Sequence, residues 1–330
     1  MVELNIQLDL KKLQTQYSNI LGCWDRSLPK TNLGSLLIFL SECQLIIQSS
    51  NAKSVDIALN ASSHQIENVL EGQYRILNRN DKLDPALTVL NGINIVKDIY
   101  ICGGRPGIKA LSLSVSKSYL IWPLNERSYD TTAYVKELYK LTEKLQPLKF
   151  KPNLKKWASE TIHKYCNNTP VVGIHLKKII NRTGTDPISL ANNYVWYKFL
   201  SITASRYDIK FIIIGDDPLD RNIKELPNII VANEIGAKNF SQHLALLSEC
   251  AGFMGMMSSI CNLVLFSNTP YIIFKNPEHH KKEMEEEIGE KNHYSFSTKF
   301  QKVLRVNETV DLLLSEFEIM PFTKNRNNYV

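Results

Sequence analysis

At 330 residues the chain is too long for one small core and suits two modest α/β domains. Its hydrophobic (44%) and charged (22%) fractions are ordinary and no repeat or low-complexity tract is present, which excludes a disordered or fibrous protein. The net charge of +6 is spread along the chain without a Lys/Arg block, which argues against nucleic acid as a partner. A small phosphorylated ligand, or an acceptor at an anionic membrane surface, agrees with that balance.

In chain order, the N-terminus "MVELNIQLDLKKLQTQYSNILGCW" lacks the apolar core and cleavage site of a secretory signal, and the chain opens with a helix that precedes "CWDRSLPK". The expectation is a cytoplasmic protein, with a peripheral place at the inner face of a membrane compatible with the charge. The six cysteines form no C-x-x-C pair and no zinc spacing, so reduced, buried thiols are expected. Next, "TNLGS" is a turn, "SLLIFLSECQLIIQSS" carries apolar positions at helical spacing, and "SVDIALN" is a short strand. Further strands are expected in "INIVKDIYICGG" and "LSLSVSKSYLIWPL", while "CGGRPG" lacks a nucleotide-binding spacing and reads as a plain turn. An amphipathic helix from Tyr129 to about Lys151 stops where Pro147 and Pro152 break the pattern. That break divides the chain into a first domain, 1–150, and a second, 151–330.

The second half opens with the helix "NLKKWASETIHKYC" and then alternates strand-like and helical runs: "VVGIHL", "SLANNYVWYKFLSITASRY", "KFIIIGDD", "NIIVA", "NFSQHLALLSEC", "AGFMGM", "SSICNLVLFSN" and "YIIF". Such alternation predicts a parallel sheet buried on both faces, with ligands beyond the carboxyl ends of its strands. "HHKKEMEEEIGE" reads as a solvated helix or a flap.

Three strand ends are site candidates. After "VVGIHL" come His175, Lys177 and Lys178, groups that neutralise and hydrogen-bond a phosphate, although lysines also mark where a strand reaches water. In "FIIIGDDPLD", Gly215 lets the backbone turn close to a ligand, and Asp216 or Asp217 could accept bonds from a ribose or base; the same residues are ordinary turn chemistry. In "AGFMGMMSSICNLVLFSN", Ser258 and Ser259 open an apolar helix, where hydroxyls and backbone N–H groups bind anions or simply cap the helix.

These motifs, "GIHLKK", "FIIIGDD" and "LALLSECAGFMGMMSSICNLVLFSNTPYIIF", with "NLGSLLIFL" in the first half, resemble the GT-B glycosyltransferases. The nearest group is the α1,6- and protein O-fucosyltransferases with the nodulation fucosyltransferase, whose "GxHxRR" is similar to "GIHLKK". The resemblance implies two Rossmann-like domains with parallel sheets facing across a cleft. It implies a metal-independent, inverting transfer from a nucleotide-diphosphate sugar, GDP-fucose-like, to a glycan, lipid-linked or protein acceptor, with the nucleotide sugar as substrate and no cofactor. Lys177 takes the position of the family's phosphate-binding arginine. Lys178, Gly215, Asp216, Asp217, Ser258 and Ser259 complete the donor side, and Asn32, Gly34 and Ser35 line the acceptor side. His175 and Asp186 are the candidate proton acceptors. A nucleotide-sugar epimerase of the same shape, or a non-catalytic relative that binds nucleotide or glycan only, are the alternatives.

Overall fold

The computed structural model describes residues 17–29, 31–60, 69–78, 81, 83–123, 132–177 and 190–323. Lys178, Asp186 and most of the expected opening helix lie outside these residues. The chain divides into two compact units, Met1–Lys151 and Pro152–Val330.

The first unit is built from β1 (Asn19–Trp24), α1 (Leu33–Gln48), β2 (Val55–Asn60), β3 (Tyr74–Ile76), α2 (Pro85–Gly92), β4 (Val96–Cys102), α3 (Gly104–Val115), β5 (Tyr119–Trp122) and α4 (Ala133–Thr142). Its sheet runs β3-β4-β2-β1-β5, parallel except for β3. α1 is buried from Gly34 to Ile46, including Glu42, whose Oε2 accepts a hydrogen bond from Trp122 Nε1 at 3.0 Å. That bond gives a carboxylate inside an apolar helix a partner, without which its burial would be costly.

Three expectations change here. "NILGCW" is not the end of a helix but β1, the strand between β2 and β5. "LSLSV" belongs to a helix: its alternation mimics a strand, but Gly107, Ile108 and Leu111 fall on one helical face and are the positions buried. "CGGRPG" is accordingly the start of α3 rather than a plain turn.

The second unit comprises α5 (Pro152–Cys166), β6 (Val171–His175), α6 (Asn193–Arg206), β7 (Lys210–Ile213), α7 (Arg221–Lys224), β8 (Ile229–Val231), α8 (Phe240–Ser248), β9 (Gly252–Met256), α9 (Cys261–Leu265), β10 (Tyr271–Phe274), α10 (Lys281–Ile288), β11 (Gln301–Leu304) and α11 (Val310–Glu318). All six strands are parallel, in the order β11-β10-β9-β6-β7-β8. One face of the sheet packs Ile174, Phe211, Met254 and Ile272 against Trp196, Phe199 and Phe317 of α6 and α11. Each of these large side chains contributes about 1.5–3 kcal/mol by leaving water, and Phe317 meets Phe199 edge-on at 5.5 Å.

Candidate functional site

Counted from the first strand of the second unit, its sheet has the order 3-2-1-4-5-6. The direction of winding reverses between β6 and β9, and the crevice outside the carboxyl ends of those two strands is where such sheets hold ligands. Gly255 lets β9 lie against β6 there, since a Cβ at that position would stand 2.4 Å from the His175 carbonyl oxygen.

His175 closes β6 on the face of the sheet that carries Gly255. Its ring is buried, and Nδ1 lies 2.8 Å from the Ile214 carbonyl. A carbonyl only accepts, so Nδ1 carries the proton, and Nε2 faces the Asp217 carboxylate at 3.9 Å. Burial pushes the imidazole below its ordinary value, and nearby Lys177 adds to this; the Ile214 carbonyl and Asp217 oppose it. Gly215 follows directly, with φ +109°, a backbone conformation that favours glycine. The Gly215 N–H donates to Nδ1 of His243, a buried residue of α8, at 3.1 Å. The tautomer of this second histidine is thereby the reverse, and its Nε2 turns toward Asp216 at 3.4 Å without the alignment of a hydrogen bond. Burial lowers His243 too, against the pull of Asp216. The His175–Ile214 and Gly215–His243 hydrogen bonds therefore tie the ends of β6 and β7 to α8, with Asp217 and Asp216 facing the two rings.

Lys177 stands two residues past His175 and is half-buried; burial lowers its ammonium, and Asp217 opposes the shift. Lys275 closes the sequence "YIIFK" after β10 and is only 7% exposed. Burial lowers it, Glu287 and Glu283 oppose this, and Lys177 reinforces it, so the two lysines lie within each other's field. Cys261, at the start of α9, lies near both and is pushed up to about 11 by burial, which leaves it a neutral thiol. Ser258 Oγ is 3.8 Å from its sulfur.

The sequence candidates fare unequally. His175, Lys177, Gly215, Asp216 and Asp217 come together at the crevice, and Ser258 adjoins it through Cys261. Ser258 and Ser259 do not open a long apolar helix: α9 spans five residues, and the Ser258 and Ser259 carbonyls already take the Cys261 and Asn262 N–H groups at 3.1 and 3.3 Å. In the first unit, Asn32 and Ser35 form the reciprocal capping box that starts α1, with Gly34 buried inside its first turn. His243 and Lys275 escaped the sequence reading. Lys275 carries the same signal as Lys177, an apolar strand ending in lysine, and could have been found by it.

The first unit has its own polar cluster at the carboxyl ends of β1, β2 and β4. Asp25 Oδ1 accepts from Asn60 Nδ2 at 2.7 Å and from the Ser27 amide and hydroxyl at 2.9 and 2.6 Å, while Oδ2 accepts from Arg105 Nε at 2.8 Å. Burial pushes Asp25 up, but these donors outweigh it and hold the carboxyl below its ordinary value. Beside it the Arg26 guanidinium pairs with Asp84.

With these two sheets in hand the architecture can be matched. A family 9 glycosyl transferase from Veillonella parvula superposes on 96% of this chain and 92% of its own with a TM-score of 0.54 at 10% identity. The chain has the GT-B fold. This GT-B chain also matches the ADP-heptose lipopolysaccharide heptosyltransferase II of E. coli, over 92% of this chain and 98% of that one, with a TM-score of 0.50 at 11% identity. The NodZ α1,6-fucosyltransferase of Bradyrhizobium aligns over 79% of this chain and 96% of its own at 9% identity, but with a TM-score of 0.41 the fit is too loose to argue from. No protein-family model and no curated protein sequence matches the chain.

Proposed function

We propose that the protein is a glycosyltransferase whose second unit binds the diphosphate of a nucleotide sugar at the carboxyl ends of β6, β9 and β10. The observation that carries this reading is Lys177, a half-buried ammonium at the switch point of a sheet wound in the nucleotide-binding order. In a single inverting displacement the leaving diphosphate gains charge, and Lys177 would neutralise it where other transferases use a divalent metal. Lysine in place of arginine gives a point charge without a bidentate fork, which is enough for a terminal phosphate.

His175 is assigned to positioning: its Nδ1 is committed to Ile214, and its buried ring sets Asp217 beside Lys177. The donor is a GDP- or ADP-sugar. The "GIHLKK" motif supports the first, with fucose as the sugar, and the fold shared with an ADP-heptose enzyme supports the second. For a glycan, lipid-linked or protein acceptor, the Asp25–Asn60–Arg105 cluster offers a polar edge that the Asn32–Ser35 cap does not.

The His175–Asp217 and His243–Asp216 pairs favour one other reading, a nucleotide-sugar epimerase, which needs acids and bases at its sugar. Calorimetry with GDP-fucose, ADP-heptose, a UDP-sugar and a CMP-sugar, each with and without EDTA, tests the proposal. A GDP- or ADP-sugar should bind regardless of EDTA, and Lys177→Ala should weaken it by about 1.5–3 kcal/mol, the size of a charged hydrogen bond. Binding of none of the four would end the proposal. Release of an epimerised sugar would replace it by the second reading.

A further inference from the structure

Lys275 is a buried lysine. Among the described residues its ammonium forms no hydrogen bond and no ion pair; Glu283 and Glu287 of α10 act on it only through space. Burying a lysine costs free energy, which Glu283 and Glu287 offset only from a distance, so at 7% exposure Lys275 is a cation that a bound anion would stabilise further.

The sheet register says where that anion would sit. His175 is level with Gly255 on β9, and Phe274 on β10 is level with Met256. On the β10 side the pairing continues one step, since the Met257 N–H donates to the Phe274 carbonyl at 2.9 Å and the Lys275 N–H to the Leu304 carbonyl of β11 at 2.9 Å. Extended by two residues, the β6–β9 register would put Lys177 level with Met257, as the β9–β10 register puts Lys275, on one face and two strand spacings of about 4.8 Å apart. Two side chains of lysine length can span that gap; Lys177 acts electrostatically on Lys275, and Cys261 acts on both.

We propose that Lys275 is the second cation of the diphosphate site, so that the donor's two phosphates are held by lysines from β6 and β10 rather than by two adjacent basic residues after β6. This rests on the crevice being a nucleotide-diphosphate site. It goes further by assigning a second diphosphate-binding cation to a residue 98 positions beyond Lys177 in the sequence. The recognised chemistry is a diphosphate, free or esterified to a nucleoside.

The test is calorimetry of the full chain with inorganic pyrophosphate, ADP and GDP, on the wild type, Lys177→Met, Lys275→Met and Lys275→Arg, with a thermal melt of each ligand-free variant. Expected is a loss of at least about tenfold in pyrophosphate and nucleoside diphosphate affinity for Lys275→Met, the least a charged hydrogen bond is worth. Lys275→Arg should recover most of it. Ligand-free Lys275→Met should melt at or above the wild-type temperature, because the cost of burying a charge is removed and an apolar chain of similar length takes its place. If Lys177→Met loses pyrophosphate and Lys275→Met keeps it, this assignment is wrong while the site reading stands. If the wild type binds neither pyrophosphate nor a nucleoside diphosphate, both fall. A lowered melting temperature of Lys275→Met with unchanged affinity would make Lys275 a structural lysine paired with α10 and overturn the assignment.

Discussion

Gly215 and His175 are packed so closely that a Cβ on residue 215 would stand 2.9 Å from the imidazole Nδ1. The ring cannot swing away without losing its bond to Ile214, and φ at 215 is +109°. Gly215→Ala should therefore cost about 1–3 kcal/mol, the usual penalty for a non-glycine residue in that region. It should also disturb His175. Urea unfolding checks the first point; an unchanged midpoint would show that the turn relaxes freely.

Acid should weaken the second unit from about pH 6.5 downward through its two buried histidines. His175 and His243 are both held below their unfolded value of 6.5. Between that value and the lowered folded one the unfolded chain binds more protons, so stability is full above pH 6.5 and declines as pH falls below it. Urea midpoints at pH 7.5 and 5.5 should differ, the acid one being lower. His243→Gln, whose amide oxygen can still accept from Gly215, should flatten the slope; an equal slope in the variant would remove His243 from the effect.

Asp217 is the negative charge facing both His175 and Lys177. If a diphosphate binds beside it, Asp217→Asn should strengthen pyrophosphate binding by about 1 kcal/mol, roughly fivefold, by removing a like charge several ångströms away. An affinity that falls instead would mean that Asp217 contacts the ligand as an acceptor.

Arg105→Met should leave Asp25 with one donor fewer on Oδ2. Arg105 is about half-exposed, so the loss is discounted from that of a buried charged bond to about 1 kcal/mol at neutral pH. Because Asp25 is held below 3.8 when folded, its contribution is present above that value and disappears as pH falls through the folded value. In the proposed transferase, Arg105→Met should raise the acceptor KM and leave donor affinity alone; a change confined to donor affinity would refute the acceptor assignment.

The alternation of the second half was legible because strands buried on both faces are continuous apolar runs, such as "VVGIH" and "YIIF". β11 was not read, since "QKVL" places a polar residue at each of its first two positions. The fold accepts Gln301 because its amide donates to the Ser267 and Thr269 carbonyls at 2.7 and 2.9 Å, which the sequence does not announce. "LSLSV" misled for the opposite reason, a period-two pattern on a helix whose serines bond back to its own carbonyls, as Ser112 does to Ile108 at 2.8 Å. In the site, the local cluster at 175–177 was visible. Its meeting with Gly215, His243 and Lys275 depends on sheet order, which local pattern does not encode.

That sheet order has a consequence for biosynthesis. β6 is the first strand of its unit to leave the ribosome, yet it ends in the middle of the sheet, and its neighbour β9 follows roughly 80 residues later. At about 5–20 residues per second, a strand buried along its whole length in the finished sheet has one edge unpaired for several seconds during translation. The nascent second unit should therefore be a client for chaperones until β9 emerges, and a ribosome stalled between β8 and β9 would present the most aggregation-prone intermediate of the chain.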